Sequence, residues 1–324
     1  MNRIEIKRFF PEDWEKYKAD LMQLEKAWED NPELCFSEEL KKELMTDPDG
    51  VYYIALDGDR VIAENYGQSL QSTDTDWFEG HYDPTTYRHF DKKTFYVTSI
   101  AVLPEYNGRG IAKDMTYRMF QDLKLDGYEY CTGHYNEGAM TKIIEWFNGE
   151  TVEVCEHWFD SDETHNFMEI DLNKIPTLLP VKRLKQKKDF DCAVASCAIL
   201  FDKDEVPDYG ESYLSFGITP ELGTSHEDML HYALQIYGLG LSTRYNASID
   251  DLKARINMGN PCIVNYLCKD EDGEEDHYSV VYGYDATSIF LLNVWTGKEE
   301  KIKVEVFESQ WYSVMFGYKW MAWI

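Results

Sequence analysis

A segment that combines prolines with basic residues, NKIPTLLPVKRLKQKK at positions 173–188, separates two halves of the sequence with different patterns. The chain has 324 residues, which is more than a single hydrophobic core usually serves. Hydrophobic residues make up 44% of it, so each half can bury a core of its own. We therefore predict two domains, at 1–172 and 184–324, joined by a linker at 173–183.

Acidic residues dominate the first half. Residues 1–172 carry 17 Lys and Arg against 37 Asp and Glu, a net charge of −20, and residues 173–324 carry 15 against 23, a net charge of −8. Such a surface repels phosphate backbones, so nucleic acid is not an expected partner. It attracts a cationic amine or peptide as substrate, and it offers the basic linker a place to dock. The excess charge can also serve solubility alone.

The cellular location follows from three features. No run of about eighteen apolar residues occurs, so no membrane partner is expected. The start, MNRIEIKRFFPEDW, lacks the continuous apolar segment of a signal peptide. The seven cysteines are an odd number and fit a reducing compartment. The sequence therefore predicts a cytoplasmic protein, and it leaves the oligomeric state open.

The first half alternates strand and helix patterns, which is typical of an α/β domain. Residues 51–66 predict a β-hairpin, 94–103 a strand, and 128–136 a further strand. Apolar residues at every fourth position from Ile111 to Leu123 predict a helix, and 137–149 predict another.

The junction VTSIAVLPEYNGRGIAKDM has the layout of an anion site, because a strand leads through a glycine turn straight into a helix. The first N–H groups of a helix have no intrahelical partner and lie at its positive end. Glycines let a phosphate approach such a backbone closely. A glycine pair on its own is more often a simple turn.

These motifs resemble the GNAT superfamily of acetyl-CoA-dependent N-acetyltransferases. That family has a Gln/Arg-x-x-Gly-x-Gly/Ala loop between its fourth strand and third helix, and this sequence has EYNGRG at 105–110. The approach IAVLPEY and the downstream NEGAMTKIIEWF also match, over roughly residues 1–170. The resemblance implies a mixed sheet with flanking helices and acetyl-CoA, or another acyl-CoA, as cofactor.

The same resemblance implies the cofactor contacts. Backbone groups of Ile100 and Val102 would bond the pantetheine, and Asn136 would lie near its sulfur. The residues expected to hold the pyrophosphate are Asn107, Gly108, Arg109, Gly110, Ile111 and Ala112.

Two features depart from the family pattern. Glu105 replaces the usual Gln or Arg, and the helix after Asn136 lacks the tyrosine that often serves as general acid. Glu64 is a candidate base for acetyl transfer, or a solvated strand residue.

The second half begins with helix patterns, from Cys192, near 226–238 and at 249–257, and continues with strands. This order predicts an α+β domain. Its strand patterns are PCIVNYL, HYSVVYGY, SIFLLNVW and KIKVEVF.

Cys192 starts the first of these helices, directly after Asp191, which we expect to cap it. A thiol attacks as the thiolate, and a helix N-terminus lowers its pKa. His277 opens a strand and Asn293 ends the next one, so a hairpin can bring them together. Gln186 lies six residues before Cys192 and can aim its amide at the same site. The alternative is that Cys192 is only a small buried hydrophobic residue.

This set resembles the papain-like fold in its minimal bacterial form, the double-glycine leader peptidase family. The matching motifs are QKKDFDC, GTSHEDMLHYALQIYGLGL, LKARINMGNPCIVNY and HYSVVYGYD, followed by Asn293. The resemblance implies Cys192 as nucleophile, His277 as base and then acid, Asn293 as the residue that orients it, and Gln186 with the Cys192 N–H as oxyanion hole. Ala193 replaces the usual glycine, and Asn293 replaces the usual aspartate.

Two patterns suggest a metal site but have the wrong spacing. The histidines of HEDMLH (226–231) are five residues apart, whereas the zinc helix needs four. The glycine of DEDGEED (270–276) is fourth, whereas the calcium loop needs it sixth. No metal is predicted.

The sequence thus predicts a bifunctional enzyme, an N-acetyltransferase joined to a Cys-His-Asn peptidase that acts on a peptide. Two alternatives stay open. The cysteine could transfer an acyl or peptidyl group to an amine, or the halves could only bind an acyl-CoA and a peptide.

Overall fold

The computed structural model describes residues 4–28, 35–73, 86–90, 93–156, 158, 164–270, 273–313 and 318–324. The chain divides into two compact units, Met1–Ile175 and Pro176–Ile324. Both units combine helices with a β-sheet, and their sheets are separate. The predicted mixed α/β, two-domain fold class is confirmed.

The described residues of the first unit form a seven-stranded sheet in the order β1-β2-β3-β4-β5-β7-β6. Its strands are β1 (Ile4–Arg8), β2 (Gly50–Asp57), β3 (Arg60–Ser69), β4 (Thr94–Val102), β5 (Tyr130–Asn136), β6 (Glu150–Cys155) and β7 (His165–Asp171). Its helices are α1 (Trp14–Leu24), α2 (Glu38–Thr46), α3 (Ile111–Leu125) and α4 (Ala139–Trp146). The β4–β5 pair is parallel, and the other paired strands are antiparallel.

The second unit has a sheet in which the main path runs β13-β12-β11-β10-β14-β9, with β8 beside β11. Its strands are β8 (Thr177–Leu178), β9 (Ser242–Tyr245), β10 (Cys262–Asp270), β11 (Gly273–Tyr284), β12 (Ser288–Asn293), β13 (Lys298–Lys303) and β14 (Trp320–Trp323). Its helices are α5 (Cys192–Leu200), α6 (His226–Tyr237), α7 (Ile249–Asn257) and α8 (Val304–Gln310). The strands of this sheet pair antiparallel, and α5, α7 and α8 contact it.

The predicted linker is partly a structural element. Thr177 and Leu178 pair with Tyr284 and Gly283, so this part of 173–183 belongs to the sheet of the second unit. The basic cluster at 182–188 was expected to dock on the acidic first half. It forms ion pairs within the second unit instead. Its ion pairs are Lys182 with Asp202 and Asp204, Arg183 with Glu299, Lys187 with Glu205, and Lys188 with Asp208.

One predicted strand is half wrong. The alternation in KIKVEVF (301–307) extends the strand only to Lys303, and α8 follows at once. Phe307 explains the change, because the helix buries its ring in the core with Trp311 and Tyr266. Packing therefore overrides local alternation here.

Candidate active sites

Helix α5 places Cys192 in the interior of the second unit. Cys192 is the first residue of this helix, and all nine residues of the helix are buried. Asp191 does not cap the helix with its side chain, contrary to expectation. Its carboxylate instead accepts hydrogen bonds from the Lys188 N–H at 3.1 Å and the Tyr213 hydroxyl at 3.0 Å. These bonds fix the loop that leads into Cys192.

Burial dominates the ionisation of the Cys192 thiol and raises its pKa to about 11. Backbone N–H groups of Tyr278, Ala193 and Cys192 itself lie at the sulfur and lower the pKa, but by less. The expectation that the helix start gives Cys192 a low pKa is therefore wrong, because desolvation of the charge outweighs these dipoles. The contact with the Tyr278 N–H places the sulfur beside β11, at the residue that follows His277 in the chain.

His277 and Asn293 meet across adjacent strands. His277 lies on β11 and Asn293 ends β12, and both side chains are buried. Burial lowers the pKa of His277 to about 4, and a hydrogen bond with the Asn293 side chain opposes that shift. His277 Nε2 has no hydrogen-bond partner among the described residues. The imidazole is therefore neutral at pH 7 and is held by Asn293.

The amide of Asn293 is fixed at both ends. Its Oδ1 accepts a hydrogen bond from the Trp295 N–H at 2.9 Å. Its Nδ2 donates to Glu300 Oε1, also at 2.9 Å. The Trp295 ring lies edge-on to the His277 ring, with centroids 6.5 Å apart. Sequence reasoning missed Glu300 and Trp295, although the NVWTGK turn between two strand patterns was a signal for the hairpin.

Gln186 is tied to the same strand end. Its backbone N–H donates to the Val294 carbonyl at 2.8 Å, one residue after Asn293. Its side-chain Nε2 donates to the Lys188 carbonyl at 2.8 Å. An amide nitrogen carries two hydrogens, so a second donor is left for a ligand. The side chain is buried, and its Oε1 has no partner among the described residues.

In the first unit, β4 and β5 pair only over their first halves, from Thr94–Tyr130 to Val97–Gly133. On its other edge β4 stays paired with β3 up to Val102. Ile100 and Val102 therefore lie where β4 has no paired strand on the β5 side among the described residues. Their main-chain groups on that side are available to an extended ligand.

The loop before α3 has the geometry of an anion site. Gly108 and Gly110 adopt φ values of 75° and 80°, in the left-handed region that favours glycine. A Cβ at Gly108 would meet no atom within 4 Å, so the backbone there faces open space. Gly110 is the N-cap of α3 and offers no side-chain cap. The N–H groups of the first turn of α3 thus have no partner within the helix, and the turn that precedes them faces open space at Gly108.

Glu105 does not hold an unpaired charge at this loop. Its carboxylate forms an ion pair with Arg60 at 3.3 Å, although both side chains are largely exposed. The Arg109 side chain donates to the Glu105 carbonyl at 2.9 Å and lies over the Tyr106 ring. The departure from the family pattern at Glu105 is thereby partly offset.

Asn136 ends β5 and is exposed. Its carbonyl accepts a hydrogen bond from the Thr141 hydroxyl at 2.9 Å, which ties the strand end to α4. Helix α4 contains no tyrosine. The described geometry therefore leaves the missing general acid without a replacement on this helix.

Comparison with known families decides the identity of both units. The Acetyltransferase (GNAT) family matches residues 5–141, and the Peptidase C39 family matches residues 181–319. The chain joins a GNAT acetyltransferase domain to a C39 cysteine peptidase domain. One match lies in each unit, in the order that the motifs indicate.

Several N-acetyltransferases of known structure resemble about half of the chain. The ribosomal-protein-S18-alanine N-acetyltransferase from Escherichia coli is 12% identical, with a TM-score of 0.39, over 52% of this chain and 94% of that one. An N-acetyltransferase from Staphylococcus aureus Mu50 is 16% identical, with a TM-score of 0.40, over 53% and 99%. The Salmonella typhimurium protein yncA, solved with its cofactor acetyl-CoA, is 12% identical, with a TM-score of 0.41, over 53% and 95%. No curated protein matches the chain in sequence.

Glu64 of the GNAT domain is neither solvated nor open to an acceptor. Its side chain has no exposed surface, and its Oε1 accepts from Lys41 Nζ at 2.7 Å. Lys41 also forms an ion pair with buried Glu25. Glu64 Oε2 has no partner among the described residues, and burial raises the pKa of this carboxyl. The alternative of a solvated strand residue is therefore wrong, and Glu64 is held by its ion pair with Lys41.

Two further findings concern the part of the chain that the structure describes. None of its helices has the length and apolar character to span a membrane. None of its His, Cys, Asp and Glu side chains gather in groups of three or more that could hold a metal.

In HEDMLH, His226 is buried whereas His231 is exposed on the same helix. Residues 271 and 272 of the acidic segment 270–276 lie outside the described residues.

Proposed function

We propose that this chain is a bifunctional cytoplasmic enzyme of bacterial type that cleaves a peptide with Cys192 and acetylates a cationic amine from acetyl-CoA. The observation that carries the peptidase assignment is the buried hydrogen bond between His277 on β11 and Asn293 on β12, together with the N–H of Tyr278, the residue after His277, at the Cys192 sulfur. A cysteine at a helix start, a neutral imidazole and an orienting amide are the parts that thiol acyl transfer requires.

The chemistry begins from a neutral pair. With the pKa of Cys192 near 11 and that of His277 near 4, neither side chain carries a charge at pH 7. The thiol therefore gives its proton to the imidazole as sulfur attacks the scissile carbonyl carbon. Asn293 stabilises the imidazolium that forms, and His277 then protonates the leaving amine.

The carbonyl oxygen becomes negatively charged in the same step. The Cys192 N–H at the first turn of α5 and the second Nε2 hydrogen of Gln186 supply donors for it. A water molecule then hydrolyses the thioester, again with His277 as base. The side chain of Gln186 is buried, so this donor acts with little competition from solvent.

The GNAT domain fits acetyl-CoA, which supplies the acetyl group as a thioester. The main chain of Ile100 and Val102 is available to the pantetheine where β4 and β5 diverge. The left-handed glycines Gly108 and Gly110 open the loop to a pyrophosphate at the start of α3. Asn136 lies at the end of β5, on the far side of the same opening. The acidic surface of this half favours a cationic acceptor.

The peptidase is tested with the full chain on a peptide library, read by mass spectrometry. We expect new amino termini from the native protein and none from Cys192→Ala, with Cys197→Ala as the matched variant from the same helix. Products that carry the acyl group on an added amine, with little free acid, would identify a transferase instead. Identical product lists for native protein and Cys192→Ala would refute both.

The acetyltransferase is tested by titration with acetyl-CoA and by transfer to peptides and polyamines. A further hypothesis links the two halves, since cleavage exposes an amine that the GNAT domain could acetylate. Peptide and acetyl-CoA supplied together should then give acetylated cleavage products. Products that never carry acetyl would rule out the link, and heat of binding without transfer would indicate a sensor domain.

A further inference from the structure

The orientation of the Asn293 amide decides which of its atoms faces the imidazole. An asparagine side chain has an oxygen that accepts and a nitrogen that donates, and the two ends have nearly the same shape. Only the oxygen can accept a hydrogen bond from the imidazole and stabilise its positive form. A rotation by 180° would present the nitrogen and repel the imidazolium that forms during catalysis.

Glu300 fixes this orientation. A carboxylate oxygen accepts hydrogen bonds, and Glu300 Oε1 takes the one from Asn293 Nδ2 at 2.9 Å. The Trp295 N–H can only donate, and it holds Oδ1 at 2.9 Å. Reversing the amide would place two oxygens together at Glu300 and two donors together at Trp295. Both contacts would be lost at once, so a single orientation persists.

The hairpin explains why Glu300 reaches this position. In the β12–β13 pair, Asn293 lies opposite Lys298 and Leu291 lies opposite Glu300. Residues two apart share a face of the sheet, so Asn293 and Glu300 are diagonal neighbours on one face. Glu299 must point to the other face, where it accepts from Tyr282 and Arg183. The chain thus provides two adjacent glutamates, of which one contacts the site.

We propose that Glu300 is a positioning residue of the peptidase, acting on His277 through Asn293. The inference rests on the proposed peptidase function. It extends the Cys-His-Asn set by a fourth member, and it assigns the carboxylate an orienting role. The side chains that face His277 include Asn293 and, from β10, Tyr266, whose ring centroid lies 6.0 Å from that of His277. Burial raises the pKa of the Tyr266 hydroxyl, and Cys268 from β10 and Glu300 from β13 raise it further.

The test compares variants that change acceptor, charge or both. Glu300→Leu removes the acceptor, and we expect kcat to fall by about tenfold or more with little change in KM. Glu300→Gln keeps an acceptor oxygen, so it should retain most of the activity. Asn293→Asp alone should lose activity, because its carboxylate faces that of Glu300. Adding Glu300→Gln to it should restore activity, since the glutamine can turn its nitrogen toward the new carboxylate.

A second readout needs no peptide substrate. The pH dependence of Cys192 alkylation reports the coupling of thiol and imidazole, and it should change in Glu300→Leu and in Asn293→Asp and return in the double variant. Glu299→Leu on the opposite face is the control and should leave the alkylation profile unaltered. Wild-type profiles in Glu300→Leu and additive losses in the double variant would overturn the proposal. If no peptide is cleaved but the alkylation profile still changes in the single variants and returns in the double variant, only the peptidase function is refuted.

Discussion

Lys41 and Glu64 form an ion pair inside the GNAT domain, at 2.7 Å, with no exposed surface on either side chain. Glu25 contacts the same ammonium group and is also buried. Two carboxylates therefore share one cation away from water. Removing one member of a buried pair leaves a charge without compensation, which costs more than the pair contributes.

Replacing Lys41 by Met should therefore destabilise the GNAT domain by about 3–5 kcal/mol. Since protonation removes the uncompensated charge, the deficit should shrink as the pH falls toward 4.5, the ordinary pKa of the Glu64 carboxyl. Urea denaturation followed by hydrogen exchange of β3 peptides measures this. The control is Lys42→Met, whose side chain is 54% exposed and 3.9 Å from Glu15, and it should cost under about 1 kcal/mol. Equal effects of the two substitutions would show that burial does not matter here.

Gly108→Ala should weaken acetyl-CoA binding by about tenfold or more, because the new methyl group would stand where the backbone faces open space. Gly259→Ala in the peptidase domain is the matched control. Its φ of 83° is close to the 75° of Gly108, and its Cβ also meets no atom within 4 Å. Each variant should lose about 1–2 kcal/mol of stability for its left-handed alanine. Calorimetric titration that shows equal affinities for both would place the cofactor elsewhere.

The sequence was sufficient for the elements that depend on local pattern. The hairpin at 51–66, the strand at 94–103 and the helices from Ile111 and Cys192 follow apolar periodicity and turn residues, and all are present. Helices α1 and α2 were not predicted, although Trp14, Tyr17, Leu21 and Leu24 recur at helical spacing and Ser37 caps α2. It was misleading in KIKVEVF, where burial of Phe307 favours a helix.

The candidate sites show the same division. Order and spacing pointed to Cys192, His277 and Asn293, because a helix start and a hairpin are local features. The ionisation of Cys192 was not predictable, since its burial depends on strands that lie some eighty residues away. The Asn293–Glu300 contact depends on the register of a hairpin, which the turn pattern alone does not specify.

Alkylation of the native protein should leave Cys192 slow at neutral pH. With a pKa of about 11, only about one thiol in ten thousand is ionised at pH 7. The rate should rise steadily from pH 7 to 10 without a plateau. Iodoacetamide labelling with mass spectrometry measures it, with exposed Cys35 as the internal control. Fast labelling of Cys192 at pH 6, abolished in His277→Ala, would instead demonstrate a preformed thiolate–imidazolium pair.

The peptidase itself should keep its activity in mild acid. Its base, His277, has a pKa of about 4 and stays neutral above that value. The acid limb of kcat/KM should therefore lie near pH 4, below the ordinary histidine value of 6.5. A pH–rate profile from 3.5 to 8 on the best peptide substrate tests this. An acid limb near 6.5 would show that the imidazole is hydrated when the substrate binds.

Acid should also destabilise the C39 domain, through two buried histidines. The His226 ring stacks on the Trp320 ring, with centroids 4.1 Å apart. Burial lowers the pKa of His226 to about 4, as it does for His277. The unfolded chain takes up a proton near pH 6.5, whereas the folded domain does so only near 4. Protonation therefore favours the unfolded state, and stability is lost as the pH falls from 6.5 to 4. Each histidine contributes roughly 3 kcal/mol to this loss.

His226→Phe should remove about half of that loss, because phenylalanine keeps the stack on Trp320 but cannot take up a proton. Urea denaturation at pH 7, 6, 5 and 4, followed by hydrogen exchange of β12 peptides, measures how the free energy of unfolding of the C39 domain changes with pH. His231→Phe, at an exposed position on the same helix, is the control for the substitution itself. A His226→Phe curve that runs parallel to the wild-type curve would mean that His226 is protonated in the folded domain. Its burial against Trp320 would then be offset by a negative partner, for which Asp276 is the candidate because its charge already raises the pKa of His226.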